Sequence, residues 1–257
     1  MMNIIACFKV VPDEQDIMVN SNGDISVDKA KLTISNYDIN SIEAGAQLVE
    51  ANGGNLLALS AGAAKIDDSK LKKNVLSRGP ESLYLIADDS LDNMDTHQTA
   101  QALKAGIEKI GSYDLILCGD GSSDLYAQQV GAQLGQLLSV PTINSVSKIS
   151  VVDGKAIVER TLEDEVETLE VPLPAVLSVT ADINEPRIPS MKQILSAGKK
   201  PSTVWSSGDA DLTIPAHSIE VLETKAPKQV ERKQIVIEGG SDDAIQQFIE
   251  KIAVELR

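Results

Sequence analysis

The sequence is short of the residues that most hydrolytic and metal-assisted chemistry relies on. Histidine occurs twice, at His97 and His217, and cysteine twice, at Cys7 and Cys118. No Ser/His/Asp order, Cys/His pair or metal-ligand spacing appears among them. His97 falls at a helix start and His217 in an irregular stretch, so both read as surface positions. There is no C-x-x-C, and each cysteine sits in an apolar, strand-like run. Both therefore read as reduced, buried packing thiols in a cytoplasmic protein. Aromatic residues make up only 3% of the chain against 42% hydrophobic residues, so the core must be aliphatic. Basic residues are outnumbered 23 to 38, for a net charge of −15. Such a chain repels phosphate backbones, which argues against nucleic acid as a partner; a solubilising acidic surface explains it most simply. No apolar run approaches the roughly 20 residues that cross a membrane. The opening Met1-Met2-Asn3-Ile4-Ile5 lacks a signal peptide's basic region and cleavage site. The expectation is a cytoplasmic protein without direct membrane insertion.

What is present is an alternation of strand-like and helix-like segments. Asn3–Val11 is a short apolar run ending at Pro12. From Tyr37, residues Ile39, Ile42, Ala46 and Val49 follow helical spacing to a stop at Gly53-Gly54. Asn55–Ser60 is a strand, Ile66–Ser77 a helix, Leu83–Ala87 a strand and Asp95–Ile110 a helix. Tyr113–Cys118 is a strand, and Leu125–Leu138 a helix stopping before Val140-Pro141. This order predicts a Rossmann-like α/β fold, a doubly wound and mostly parallel sheet with apolar strands covered on both faces.

The texture then changes. Ser147–Val152 and Lys155–Glu159 flank Asp153-Gly154, a strong hairpin signal. With Val166–Val171 and Ala175–Thr180 they predict an antiparallel meander extending the sheet. Glu163, Asp164, Glu165 and Glu167 read as a solvated hairpin tip rather than a metal or general-acid cluster. Asp182–Lys200 is a polar loop with a short amphipathic segment. Pro201–Arg232 reads as a tether, and Lys233–Glu238 and Ser241–Arg257 as a terminal strand and helix. The helix carries an apolar stripe of Ile245, Phe248, Ile249, Ile252 and Val254. Whether this arm packs on another molecule or folds back on its own sheet is open from pattern alone. The expected division is residues 1–200 as the main domain and 201–257 as tether and arm.

Ligands of open α/β sheets sit beyond the carboxyl ends of strands, where strand order reverses. That rule directs attention to the turns after Cys7, Ser60 and Cys118. The third runs from Leu115 through Gly119-Asp120-Gly121-Ser122-Ser123-Asp124-Leu125-Tyr126-Ala127-Gln128-Gln129-Val130 to Gly131. Gly119 and Gly121 allow a sharp turn and close approach to a ligand. Ser122, Ser123 and Asp124 can cap the following helix, whose free N–H groups suit phosphate. The string is neither a Walker loop nor Gly-x-Gly-x-x-Gly, since Asp124 stands at the third glycine. Asp120 and Asp124 repel phosphate, so ribose or adenine contacts are equally open to them. A nucleotide turn without an acid–base set points to a carrier or binding role, not an enzyme.

Four stretches carry a family resemblance spanning Ile4 to the C-terminus. They are Cys7-Phe8-Lys9-Val10-Val11; Ser35-Asn36-Tyr37-Asp38 with Ile42-Glu43-Ala44; the Gly119–Gly131 turn; and an ordered run from Val158-Glu159-Arg160 to Lys200. The last includes Glu167-Thr168, Leu173-Pro174-Ala175-Val176, Asn184-Glu185-Pro186-Arg187-Ile188-Pro189-Ser190-Met191 and Ala197-Gly198-Lys199-Lys200. Together they resemble the β subunit of electron transfer flavoproteins, most closely the FixA-type branch. The resemblance implies a heterodimer with an α subunit, carrying FAD and passing electrons from a dehydrogenase, of acyl-CoA or other flavin type, to a further acceptor. FixA-type members include electron-bifurcating ones. It implies a second adenine nucleotide in this chain, AMP or a second FAD. The implied contacts are Cys7, Ser35, Asn36, Tyr37, Asp38, Ala61 and the loop Gly119–Val130. It further implies a partner-recognition loop containing Arg187, Ile188, Met191, Lys192, Ile194, Lys199 and Lys200, and a C-terminal arm on the α subunit. Met191 and Lys192 depart from the family's leucine and proline, Asn36 from its proline, and Asp124–Gln129 from its common loops. The competing expectation is a stand-alone adenine-nucleotide-binding regulator with a fold like universal stress proteins. A nicotinamide-dependent dehydrogenase is disfavoured, because no Gly-x-Gly-x-x-Gly follows the first strand.

Overall fold

A computed structural model describes residues 2–228 and 234–255. The first strand is β1 (Met2–Cys7), followed by short strands β2 (Val10–Pro12), β3 (Met18–Val19), β4 (Ile25–Ser26) and β5 (Leu32–Ile34). Next come α1 (Asn36–Asn52), β6 (Gly54–Gly62), α2 (Ser69–Leu76), β7 (Ser82–Ala87), α3 (Thr96–Ile110) and β8 (Leu115–Gly119). The second half holds α4 (Val130–Leu138), β9 (Thr142–Val152), β10 (Lys155–Thr161), β11 (Val166–Pro172) and β12 (Ala175–Val179). It ends with α5 (Met191–Ala197), β13 (Ser202–Trp205) and α6 (Asp242–Glu255).

Nine strands form one sheet in the order β11-β10-β9-β12-β8-β1-β6-β7-β13. From β13 to β9 every neighbouring pair is parallel, while β9, β10 and β11 are antiparallel. Alternate side chains of β1 explain why both faces are covered. Ile4 and Ala6 pack with Ile42, Ala46 and Leu48 of α1 and Leu71 and Val75 of α2. Ile5 and Cys7 pack with Leu103 and Ile107 of α3 and Leu134 of α4. The mostly parallel, doubly wound sheet is thus the architecture that the alternating pattern predicts.

Several segments differ from the sequence expectation. The run from Asn3 breaks at Cys7, and Val10–Pro12 pairs with β5 instead of continuing β1. The helix expected from Ile66 starts at Ser69, because the Asp68 carboxylate accepts the N–H groups of Lys70 and Leu71 at 2.8 and 2.9 Å. The helix expected from Leu125 starts only at Val130. Only β9, β10 and β11 form the antiparallel meander; Ala175–Val179 instead lies between β8 and β9, parallel to both. Within the segment read as a tether, Ser202–Trp205 pairs with β7 and extends the sheet by one edge strand. Beyond it, Ala210 is buried with Ile86 and Leu91. Gln98 Nε2 donates to the Pro215 carbonyl at 2.8 Å, and Ser218 N to Asp95 Oδ2 at 2.6 Å. Residues 234–238 of the expected terminal strand are not in a strand, and Lys233 lies outside the described residues.

The described chain divides into two compact units. One contains the chain up to Met18 together with Ser26–Glu223, and so the whole nine-stranded sheet. The other contains Val19–Ile25 and the chain from Thr224 onward, including α6. Inside this second unit, Asp24 bridges Lys225 and Ala226 N donates to the Gly23 carbonyl at 2.9 Å.

Candidate functional site

Connections from β1 lead to β6 and β7 on one side, while β8 lies on its other side. The strand order therefore reverses between β1 and β8, and the crevice beyond their carboxyl ends is where such sheets bind ligands. Cys7 ends β1 and Gly119 ends β8. Between them stands the first turn of α1. Ser35 is its N-cap residue, Asn36 its exposed first residue, and Tyr37 is half-buried.

Asp38 ties these elements together. Its Oδ2 accepts the N–H of Lys9 at 2.8 Å, and its Oδ1 accepts the N–H of Gly119 at 3.1 Å. It is 6% exposed. Burial pushes its carboxyl up to about 7, partly countered by those two N–H groups, the Ser35 hydroxyl and the Lys9 charge. Gly119 is required here: a Cβ would lie 2.6 Å from Asp38 Oδ1 and 2.8 Å from Tyr37 Cβ. Cys7 and Cys118 are buried free thiols in the same cluster. A hydrogen bond with Cys118, then burial, holds the Cys7 thiol well above its ordinary value, which makes it unreactive.

The loop after β8 is folded over this floor. Asp120 Oδ1 accepts Ser145 N at 3.0 Å and its Oδ2 accepts Gln128 Nε2 at 2.7 Å. Ser123 N donates to Ser35 Oγ at 3.3 Å. Asp124 pairs with the Lys9 ammonium at 2.6 Å and also accepts from Ser122 Oγ and Leu125 N. Burial opposes its charge, but Lys9 and Ser122 hold the Asp124 carboxyl below its usual value. The Tyr126 ring lies against Gly121, where a Cβ would come within 2.3 Å of it, and 5.0 Å from the Tyr37 ring. Leu125, Tyr126 and Ala127 are exposed. Tyr126 and Gln128 adopt positive φ of 47° and 56°, which is why the chain does not turn helical here. Gln129, the N-cap of α4, makes no side-chain cap bond; its Oε1 accepts from Thr96 Oγ1 at 2.8 Å. The capping expected of Ser122, Ser123 and Asp124 is therefore replaced by bonds inside the loop. The amide-rich helix start lies at Val130, which packs against the same core cluster as Ala61.

Direct bonds join the Lys9 backbone, the Ser35–Asp38 turn and Gly119–Ser123, with Asp124 joined through the Lys9 ammonium and Cys7 packed against Cys118 beneath them. Ala61 is half-buried at the end of β6, one strand from β1. Lys9 was missed as a site residue, although its place just past the first strand marks it under the same carboxyl-end rule. A separate cleft of about 590 Å³ is lined by Asn3, Asn55, Glu81, Tyr84 and Pro201. It lies where the parallel strands begin, the end of such sheets that does not bind ligands, so the crevice at β1 and β8 is the better candidate.

The segment from Arg187 to Lys200 splits in two. Arg187 binds Glu43 through Nε at 2.7 Å and Glu50 through an Nη at 2.6 Å. Burial alone would raise the Glu43 carboxyl, yet Arg187 brings it below its usual value and is itself held more firmly protonated. Lys200 Nζ donates to the carbonyls of Leu76 and Pro80 at 2.8 and 2.6 Å, closing the end of α2. These two cations are structural fasteners. The outward face consists of Ile188 at 94% exposure, Met191 at 71% and Leu195 at 70%, with Lys192, Ile194 and Lys199 also exposed. Leu195 was not singled out from sequence; its spacing of four from Met191 on a helix would have identified it.

The family model described as the electron transfer flavoprotein domain matches residues 25–210, well over half of the sequence. The chain belongs to that family.

Proposed function

From this membership, we propose that the chain is the β subunit of a heterodimeric electron transfer flavoprotein of the FixA-type branch. In this reading it holds an adenine nucleotide at the β1–β8 crevice and works without a catalytic acid–base set of its own. The carrying observation is the convergence of the β1 turn, the first turn of α1 and the Gly119–Val130 loop at the point where strand order reverses. Two features of the crevice support such a ligand: the N-terminal amides of α4 lack a side-chain cap, and two tyrosine rings offer flat apolar surface. Cys7, Ser35, Asn36, Tyr37, Ala61 and Gly119–Val130 are the proposed surroundings of AMP or FAD. Bound flavin would supply the ability to accept and release electrons; the chain's residues orient it and limit water. FAD held mainly by the α subunit, and bifurcation, belong to the same reading.

Ile188, Met191 and Leu195, with Lys192 and Lys199, form the proposed docking face for a flavin dehydrogenase. Arg187 and Lys200, expected in the same loop, are engaged within the fold. A stand-alone regulator resembling universal stress proteins is not favoured by the family match.

The test is co-expression with an α subunit, followed by denaturation and quantitation of FAD and AMP released per complex. The expected result is a yellow heterodimer releasing either FAD with AMP or FAD alone in twofold amount. Absence of both a heterodimer and flavin absorbance would overturn the reading.

A further inference from the structure

The turns after β1 and β8 are the two walls of the crevice, and one buried side chain holds both. The first wall offers the N–H of Lys9 and the second the N–H of Gly119; the two oxygens of Asp38 accept one each. Asp38 therefore faces backbone rather than open space, although its position in the sequence suggests a ligand contact. We propose that Asp38 is a positioning residue: its carboxylate fixes the two turns in the geometry that accepts the nucleotide, and protonation slackens that geometry and weakens binding. The inference rests on the nucleotide-site reading given above.

The chemistry follows from donor and acceptor counts. An ionised carboxylate presents two acceptor oxygens, whereas the protonated form turns one into a hydroxyl donor. A hydroxyl facing the N–H of Lys9 or Gly119 gives up one of the two bonds. The wall so released carries either Lys9 with its Asp124 partner, or Gly119 with the loop behind it.

The charged and titratable surroundings are few. From the β1 turn come Cys7 and Lys9, the latter engaged by Asp124 at 2.6 Å. From β8 and its loop come Cys118, Asp120 and Asp124, with Asp120 held by Gln128 and Ser145. From α1 come Tyr37 and, farther along, Glu43, which Arg187 neutralises. Lys9 is the one cation in this set pulling Asp38 towards ionisation, against the pull of burial. The balance puts Asp38 near half-protonation around neutral pH, where a proton can alter the site.

Two measurements on the full chain test this. In the first, the amide resonances of Lys9 and Gly119 are followed by NMR against pH without ligand. Both should titrate together with a midpoint near neutrality. In the second, FAD is the probe, since its pyrophosphate does not titrate in this range. Its dissociation constant is measured from about pH 6 to about pH 8.5 for the native chain and for Asp38→Asn. The native chain should lose affinity below the midpoint, approaching about tenfold per pH unit, the limit for one proton. Asp38→Asn should be weaker at alkaline pH and nearly flat throughout. Amides that do not titrate, or FAD binding flat with pH in the native chain, would overturn the positioning role while leaving the nucleotide site intact. Amides that titrate in a chain binding neither FAD nor AMP at alkaline pH would overturn the nucleotide reading, and with it this use of Asp38. The native-chain measurements stand even if Asp38→Asn fails to fold.

Discussion

Asp38 acts in opposite directions on the ligand-free fold and on the proposed bound state. Its folded pKa of about 7 lies above its ordinary value of 3.8, so the folded chain binds the proton more tightly than the unfolded chain. Its contribution to stability is therefore fully present below 3.8 and is lost as pH rises through about 7. Asp124 and Glu43 run the other way: their lowered carboxyls add stability that is lost as pH falls. Comparing urea unfolding of the native chain with Asp38→Asn isolates the first effect. The native chain should lose stability relative to the variant between about pH 4 and about pH 7. Gly119→Ala tests the same junction sterically, because its Cβ would meet Asp38 Oδ1 at 2.6 Å and Tyr37 backbone at 2.9 Å. A loss of roughly 1–3 kcal/mol in chemical denaturation is expected. At this scale the sequence was legible by position: strand ends marked Cys7 and Gly119, and the family motif marked Ser35–Asp38. It did not reveal that Lys9 reaches Asp124, or that Asp38 faces inward. Those pairings join residues far apart along the chain, and no local pattern records them.

At the scale of elements, the clearest difference is the start of α4. Leu125 and Tyr126 suggest an early helical turn, but their side chains are exposed and the loop is held by Asp120, Gln128 and Ser145. Helical spacing beyond Val130 was legible because Leu134 packs into the core. The short strand β13 was not, since four residues of an edge strand carry too little alternation to register. Ala175–Val179 was correctly read as a strand, but its parallel pairing depends on where the chain returns, not on its own residues. The Asn184–Arg187 stretch has a structural meaning of its own. Asn184 exchanges hydrogen bonds with Asn40, and Arg187 spans Glu43 and Glu50, fastening the exposed α5 face to α1. Arg187→Ala leaves the Glu43 carboxylate buried without its partner. The expected cost is about 2–3 kcal/mol in urea unfolding, towards the low end for a broken buried pair because Arg187 is partly solvated. Arg187→Lys should recover only part of it, since a lysine cannot span two carboxylates in a fork.

For the whole molecule, composition set the limits and the family match set the role. The acidic balance of −15 fits a carrier that approaches partners through a local face rather than a general positive field. No helix among the described residues is long and apolar enough to cross a membrane. Within the second compact unit, α6 exposes Ile245, Phe248, Ile249 and Ile252, spaced as one helical face. Under the proposed function this stripe is the surface that the α subunit covers. Phe248→Asp should weaken α-subunit association by tenfold or more in titration calorimetry, with the unfolding midpoint of the isolated chain unchanged. A loss of isolated-chain stability instead would identify the stripe as part of this chain's own packing.

The position of β12 has a further consequence, for the chain as it is being made. The ribbon of β9, β10 and β11 is complete at Pro172, yet it joins the sheet only through β12, which spans Ala175–Val179. During synthesis from the amino end, β8 must therefore wait with one edge uncovered while the ribbon forms beside it. Ala175–Val179, which lies between β8 and β9 in the sheet, emerges after both of them. Vectorial emergence from the ribosome thus leaves a defined interval in which β8 can recruit a foreign strand. The sheet from β11 to β7 becomes continuous only once Ala175–Val179 is released, and β13 adds its edge later still.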